Sequence, residues 1–362
     1  MQILLLLTDL FDATGGIQTF NRSFVKALDD LSVKHNINVK VLVLNDTGKS
    51  SLSAKYISSG NIEYKYFSGN RFKFFIHALK ESARADKVIF GHINFSPLAV
   101  LMNSGAKKYL TIYGIEAWKK LNYFKLAGVR SVNKILSISV YTKRQIKNYN
   151  EIINTFTIFP CTLDPFYQAQ PGVDEDLVLP IGTIILSVAR LDPRERYKNI
   201  DLVIKALPEV LKNIPDAYYV IVGEGTDRFR LELLAKNLGV RDNVIFAGFI
   251  PDDLLSLYYE SCDIFILPST GEGFGIVFLE AMYFSKPCIG ANAGGIPEVI
   301  KDKETGILCS PNDSTSLSDS IIKLLKDNDL RNKMGKKGKE RFESKFGFCS
   351  FKEKLGNIIC EF

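Results

Sequence analysis

At 362 residues, 46% of them hydrophobic and 24% charged, the chain has the length for two domains and the balance of an ordinary soluble globular protein. Its longest apolar runs, such as Ile3–Leu7, are far too short to span a bilayer. Residues 1–165 carry 22 Lys and Arg against 11 Asp and Glu, a net of +11, whereas residues 166–362 carry 24 against 29, a net of −5. A basic front half suits an anionic partner such as an acidic membrane surface, a phosphate-linked acceptor or nucleic acid; a solvated lysine-rich surface explains the same count equally well. Met1-Gln2-Ile3 leads into a strand with no basic n-region or cleavage site, so no signal peptide is expected. The six cysteines are scattered without a C-x-x-C pair. They read as thiols of a reducing cytosol, not as a disulfide frame or zinc site.

In chain order, Gln2–Leu7 reads as a strand, followed by the turn Thr14-Gly15-Gly16 and a helical spacing over Gln18–Leu31. Val39–Leu44 predicts the next strand, Phe72–Ala85 a helix with basic residues interleaved, and Lys87–Phe90, Tyr109–Tyr113 and Lys134–Ser137 three further strands. Strands alternating with helices imply a parallel sheet covered on both faces. Thr162–Gly182, rich in Pro, Gly and acidic residues, is the candidate linker. The alternation then restarts. Strands are predicted at Thr183–Ala189, Ala217–Val222, Val244–Phe249, Ile264–Leu267 and Pro287–Gly290. Helices are predicted at Leu202–Asn213, Phe229–Leu238, Asp252–Ser261, Val277–Phe284, Ile296–Lys301 and Ser314–Lys326. Two doubly wound halves would leave a cleft between them, with ligands at the carboxyl ends of the strands. The glycine turns at Gly15-Gly16, Gly223–Gly225, Gly273–Gly275 and Gly294-Gly295 all fall at such ends.

The most informative stretch is Ser269-Thr270-Gly271-Glu272-Gly273-Phe274-Gly275-Ile276-Val277-Phe278-Leu279-Glu280. An apolar strand feeds a glycine-rich turn that opens a helix, leaving backbone N–H groups suited to an anion. Glu272 lies in the turn and Glu280 in the helix, and carboxylates accept hydrogen bonds from hydroxyls. A ligand with both phosphate and sugar hydroxyls fits the pair. Arg190, at a strand end, and Lys198, before a helix, would clamp a diphosphate and neutralise charge on a leaving group; alternatively both are surface cations of a loop that also holds Arg194, Glu195 and Arg196. Gly223-Glu224-Gly225 is a plain turn or a place where backbone approaches a ligand. His92 and Tyr113 follow front-half strands. Glu116 would accept acceptor hydroxyls or cap the next helix. No H-e-x-x-H, D-x-D or Ser-His-Asp order stands out, so a divalent metal is not implied.

The ordered set Ser187–Arg190, Lys198-Asn199, Val222–Gly225, Phe246–Ile250, Cys262–Pro268, Glu272–Glu280, Gly294–Glu298 and Thr305-Gly306 resembles the donor-binding domain of GT-B glycosyltransferases, the retaining family-4 set of glycosyl transferases group 1. Gly15-Gly16, His92, Thr111–Glu116 and Ser139–Thr142 resemble the acceptor domain more loosely. The resemblance implies an α/β GT-B fold of two Rossmann-like, doubly wound domains facing a central cleft. Residues 1–165 would bind the acceptor and residues 166–345 a nucleoside-diphosphate sugar, with 346–362 a segment crossing back to the first domain. It implies that Glu272 holds the donor hexose, that Glu280 holds the ribose hydroxyls, and that Arg190 and Lys198 bind the diphosphate. Gly16, Gly273 and backbone at Phe274, Gly275 and Ile276 would help them, Gly223 would line the donor, and Ile250 would sit against the base. Gly15, His92, Tyr113 and Glu116 would fall on the acceptor side. Transfer would retain anomeric configuration without a metal or other cofactor, onto a glycan or lipid-linked acceptor, as in cell-surface polysaccharide synthesis. The protein would be cytoplasmic and not a nucleic-acid binder, with the inner membrane face as a candidate docking surface. Two departures stand out. Tyr113 occupies a position where many members have a histidine that contacts the donor sugar, and Pro160-Cys161-Thr162-Leu163-Asp164 stands where many read Pro-Asn-Gly-x-Asp. A nucleotide-sugar epimerase of the same architecture and a non-catalytic sugar-binding homologue are the competing expectations.

Overall fold

The computed structural model describes residues 1–102, 105–167 and 179–360. It divides into two compact units, one of Met1–Phe166 with Phe346–Phe362, the other of Tyr167–Lys345. Of the candidate linker, Pro171, Gly172 and Asp174-Glu175-Asp176 lie outside the described residues.

The first unit runs β1 (Gln2–Leu7), α1 (Gly16–His35), β2 (Asn38–Val43), α2 (Ser53–Tyr56), β3 (Ile62–Tyr66), α3 (Arg71–Ser82), β4 (Lys87–Phe90), α4 (Leu98–Leu101), β5 (Lys107–Ile112), α5 (Tyr123–Ser131), β6 (Lys134–Ser137), α6 (Val140–Tyr149) and β7 (Thr155–Ile158). The second runs β8 (Thr183–Val188), α7 (Ile200–Asn213), β9 (Ala217–Val222), α8 (Arg228–Asn237), β10 (Val244–Gly248), α9 (Asp252–Ser261), β11 (Ile264–Leu267), α10 (Ile276–Tyr283), β12 (Cys288–Ala291), α11 (Ile296–Val299), β13 (Gly306–Cys309), α12 (Ser314–Lys326) and α13 (Asn328–Arg341). The last helix, α14 (Phe348–Ile359), belongs to the first unit.

The first sheet has seven strands in the order β3-β2-β1-β4-β5-β6-β7, and the second has six in the order β10-β9-β8-β11-β12-β13. Every pairing between these strands is parallel. Each chain path therefore winds outward in one direction, returns to the middle, and winds out the other way. That is the doubly wound arrangement, in which the sheet's ligand site sits where the strand order reverses. The reversal falls between β1 and β4 in the first sheet and between β8 and β11 in the second.

Burial follows the residue types. Ile3 to Leu7 of β1 and Ile264 to Leu267 of β11 are buried without a break, as strands covered on both faces must be. In α1 the i, i+4 series Phe20, Phe24, Leu28 is buried. The helix ends at Asn36 in the left-handed conformation (φ 51°), a common stop for residues that tolerate that region. Phe351 of α14 packs its ring 5.5 Å from Phe20 and 4.5 Å from Phe159, while Lys352 reaches Asp30 of α1 at 2.7 Å.

Nine of the elements given above were not foreseen: α2, β3, α4, α5, α6, β7, β13, α13 and α14. Several lack an apolar signal. β3 reads Ile-Glu-Tyr-Lys-Tyr and lies at a sheet edge. α13 is mostly charged, and it packs through Met334, Gly335 and Gly338.

Candidate active site

At the reversal of the second sheet, β8 delivers Arg190 and β11 delivers Glu272, and neighbouring turns bind these two strand ends together. The stretch Pro193–Lys198 is a 3-10 turn bent at Glu195 (φ −110°, ψ 25°) and opened by Asp192, whose carboxylate accepts from the Arg194 N–H. Tyr197, in this turn, accepts a hydrogen bond from the Thr270 N–H at 2.8 Å. Its ring lies so close to Gly271 that a Cβ there would come within 2.7 Å of it. The loop of cations is thereby docked onto the loop of Glu272. On the other flank, the Gly295 N–H donates to the Glu272 carbonyl at 2.8 Å, and Cβ atoms on Gly294 or Gly295 would meet backbone at 2.6 and 2.2 Å. Gly294-Gly295 thus lets the turn after β12 pack against the turn after β11.

The glycines of Gly223-Glu224-Gly225 serve the same kind of contact. A Cβ on Gly223 would fall 2.0 Å from the Ala189 carbonyl, and one on Gly225 2.0 Å from that of Leu191. The close approach they permit is to the backbone on either side of Arg190. Gly223 also donates to Gly248 at 2.7 Å, so the end of β10, two residues before Ile250, is tied to the end of β9.

The loop's charges are sorted by partner. Arg194 pairs with Asp192 at 2.7 Å and Arg196 with Asp227 at 3.2 Å, while Arg230 forks onto the same Asp227 at 2.8 and 2.6 Å. Arg190 and Lys198 share one carboxylate: Arg190 Nη1 is 3.6 Å from Glu195 Oε1 and Lys198 Nζ is 2.8 Å from Glu195 Oε2. The two cations of the expected clamp thus lie on one loop, and Glu195 of that loop faces both. An E-x-x-K spacing in the sequence was the available signal for it. Burial pushes the Glu272 carboxyl above its ordinary pKa; Lys198's charge pulls it back, and Glu195's charge raises it further.

Past the turn, Gly275 is left-handed (φ 94°) and opens α10 without a side-chain cap. A Cβ on it would meet the Phe278 ring at 2.7 Å, so this position requires glycine on both conformational and steric grounds. The first-turn N–H groups of α10, an eight-residue helix that starts at Ile276, carry no side-chain cap and lie at the positive end of the helix dipole. Glu280 lies further along α10, where Tyr259 Oη donates to its Oε2 at 2.6 Å. Tyr259 is fully buried and its ring stacks on Phe284 at 6.2 Å. Sequence reasoning missed it, since no local pattern ties a residue of α9 to one on α10.

In the first unit, Gly15 and Gly16 follow β1, His92 follows β4, and Tyr113 and Glu116 follow β5. These three strands are adjacent, so all five residues gather at one edge. Gly15 (φ 141°) precedes α1. His92 Nδ1 accepts from the Asn94 N–H at 3.1 Å, which leaves Nε2 as the protonated nitrogen of the neutral ring. Burial holds its pKa below the ordinary histidine value. Tyr113 is buried and its hydroxyl donates to Asn21 Oδ1 at 3.0 Å. It is thus held within the unit's core, with His92 stacked at 6.4 Å. Glu116 accepts from the N–H groups of Tyr113 and Gly114 at 2.7 and 3.0 Å, so one of its oxygens caps its own turn. At the altered Pro160–Asp164 segment, Asp164 pairs with Arg22 at 3.2 Å and accepts from the Tyr56 hydroxyl. Among the described residues, no three His, Cys, Asp or Glu side chains are grouped to hold a metal ion, and no helix is long and apolar enough to cross a membrane.

Two Rossmann-like units of parallel strands, the second with a phosphate-ready helix start flanked by cations and carboxylates, define a GT-B fold. HepE from Anabaena, solved in complex with UDP, superposes at a TM-score of 0.80 with 17% identity over 100% of both chains. Sucrose-phosphate synthase from Thermosynechococcus elongatus superposes at 0.75 with 21% identity, over 100% of this chain and 99% of that one. Residues 180–341, most of the second unit, match the family described as glycosyl transferases group 1. N-acetyl-alpha-D-glucosaminyl L-malate synthase of Bacillus anthracis is 37% identical over 42% of this chain and 39% of its own. A Corynebacterium glutamicum protein is 29% identical over 95% of this chain and 94% of its own; it is named GDP-mannose-dependent monoacylated alpha-(1-6)-phosphatidylinositol monomannoside mannosyltransferase. Against the first curated relatives the chain spans less than half of their length, between 39% and 47%.

Proposed function

We propose that the protein is a retaining glycosyltransferase that moves a sugar from a nucleoside-diphosphate sugar to a hydroxyl of a glycan or lipid-linked acceptor. The observation that carries the reading is the docking of the Arg190–Lys198 turn onto the Glu272 turn at the strand-order reversal, directly before the uncapped start of α10. Diphosphate oxygens would meet Arg190, Lys198 and the amides of Phe274 to Ile276. Glu280, steadied by Tyr259, would take the ribose hydroxyls, Glu272 the hexose hydroxyls, and Ile250 the base. Solved neighbours carry UDP and a full-length relative is named for GDP-mannose, so both bases belong in the trial.

Phosphate charge would be met by fixed cations and helix amides, which act without reorganising as the leaving group departs. The departing phosphate itself would take the acceptor proton as the new bond forms on the same face of the sugar. The protein's part is to hold donor and acceptor in place, so no metal is invoked. On the first unit, His92, with the proton of its neutral ring on Nε2, would be the acceptor-side group; Tyr113, with its hydroxyl bound to Asn21, would not replace the histidine of relatives.

The name of the full-length relative supports a lipid-linked acceptor, and the basic first unit supports a peripheral site at the inner membrane face. A panel of nucleotide sugars in thermal shift identifies the donor, since a ligand of the folded state raises the melting point. With that donor, Glu272→Ala should lose transfer by at least about a hundredfold, the scale of removing one key polar contact. Turnover within a few-fold of wild type would overturn the assignment. Isomerised donor in the absence of any acceptor would instead favour an epimerase.

A further inference from the structure

The loop Asp192–Asn199 contains an anion that the proposed reaction does not call for. Asp192 and Asp227 are taken up by Arg194, Arg196 and Arg230. Glu195 pairs with both Arg190 and Lys198, the two cations assigned to the donor's diphosphate. Its pair with Lys198 is shielded, the side chains being 18% and 17% exposed. The near oxygen, Oε2, is buried without an aligned hydrogen bond, so the 2.8 Å contact is held by charge rather than by directional bonding. Glu195 also lies close enough to Glu272 to raise its pKa.

We propose that Glu195 is an internal counter-anion: it occupies Arg190 and Lys198 when the site is empty and leaves them as a diphosphate enters. The inference rests on the donor reading above. A shielded lysine with no counter-charge is costly, and Glu195 meets that need in the resting protein. A diphosphate supplies more charge and better-placed acceptor oxygens than one carboxylate, so it wins the exchange, though at reduced net affinity. A single phosphate or a carboxylate metabolite offers less and is turned away. When the sugar has been transferred, the returning carboxylate competes with the diphosphate product and promotes its release.

The test is calorimetric titration of the full chain with inorganic pyrophosphate, comparing wild type, Glu195→Gln and Glu195→Asp at low salt, with each protein's unliganded melting curve as the folding control. Glu195→Gln should bind pyrophosphate about tenfold more tightly, the size of one like-charge contact removed near a protein surface. The gain should shrink as salt is added. Glu195→Asp, which keeps the charge but draws it back by one methylene, should gain less in the same direction and serves if the glutamine variant does not fold. Equal or weaker binding by the folded variants would overturn the inference, since Glu195 would then position Lys198 instead of competing for it. Failure of wild type and variants alike to bind pyrophosphate would overturn the donor reading together with this inference. Tight binding by wild type with no gain in the variants would overturn the inference alone.

Discussion

At the residue scale, the second unit concentrates its chemistry in side chains whose protonation is set by their neighbours. Glu272 is the clearest case. Its folded pKa lies above the ordinary value because burial disfavours the carboxylate. A carboxyl whose pKa is raised on folding gives stability at pH below its unfolded value of about 4.3, and that stability is lost as pH rises through the folded value. At neutral pH an ionised Glu272 is therefore a cost to folding. Glu272→Gln should melt higher than wild type at pH 7 and alike near pH 4, while losing sugar transfer. Melting curves across that range check it; a variant that melts lower at pH 7 would show that the Lys198 attraction outweighs burial. Glu272 and Glu280 stand out in the sequence by their spacing around a glycine turn. Tyr259 and Glu195 do not, because their importance comes from contacts made across separate elements or across a bent turn.

At the scale of elements, glycine decides how closely backbones meet. α13 carries few apolar residues, yet it lies against the end of α10 through Gly335, where a Cβ would stand 1.8 Å from the Ser285 carbonyl. Gly338 does the same beside Met282, where a Cβ would stand 3.3 Å from the methionine Cγ, close enough that the side chain must give by a few tenths of an ångström. Alanine favours a helix interior over glycine by about 1 kcal/mol, so propensity alone predicts that Gly335→Ala stabilises. The overlap with a backbone carbonyl outweighs that gain, since forcing a methyl into a packed contact costs about 1–3 kcal/mol or more. Gly335→Ala should therefore lower the midpoint of denaturant unfolding, and Gly338→Ala, where a flexible methionine and not backbone must yield, should change it little. A stabilised Gly335→Ala protein would mean that α13 moves off α10 without penalty. The glycine-rich charged sequence of α13 gives no amphipathic stripe, which is why this helix is hard to read before the packing is known.

At the scale of the whole molecule, charge is partitioned between the two halves of the chain, +11 over residues 1–165 and −5 over the remainder. The first unit also exposes large apolar side chains among its basic ones. Phe72 and Ile76 stand four residues apart on α3 with Arg71 and Lys73 beside them, and Tyr123 and Phe124 open α5. A peripheral membrane contact would use both features. Vesicles containing acidic lipid should bind the protein at low salt and release most of it by about 0.5 M salt, where screening lengths fall to a few ångströms. Phe72→Ser should weaken the binding further. Salt-independent binding, or equal binding to neutral vesicles, would count against an electrostatic attachment.

The alternation of buried strands and amphipathic helices, the glycine turns at strand ends and the Glu272–Glu280 spacing were legible in the linear chain. Each rests on local physics: the two periodicities of side-chain direction and the freedom of glycine to turn. Tertiary structure alone decided the strand order that brings the loop after β8 against the turn of Glu272, the pairing of Tyr259 with Glu280, the inward hydroxyl of Tyr113, and the carboxylate that already faces the cations. Those are contacts between residues distant in the chain or turned by its bends, and a linear pattern carries no record of which partner a charge or hydroxyl will meet once the sheets have formed.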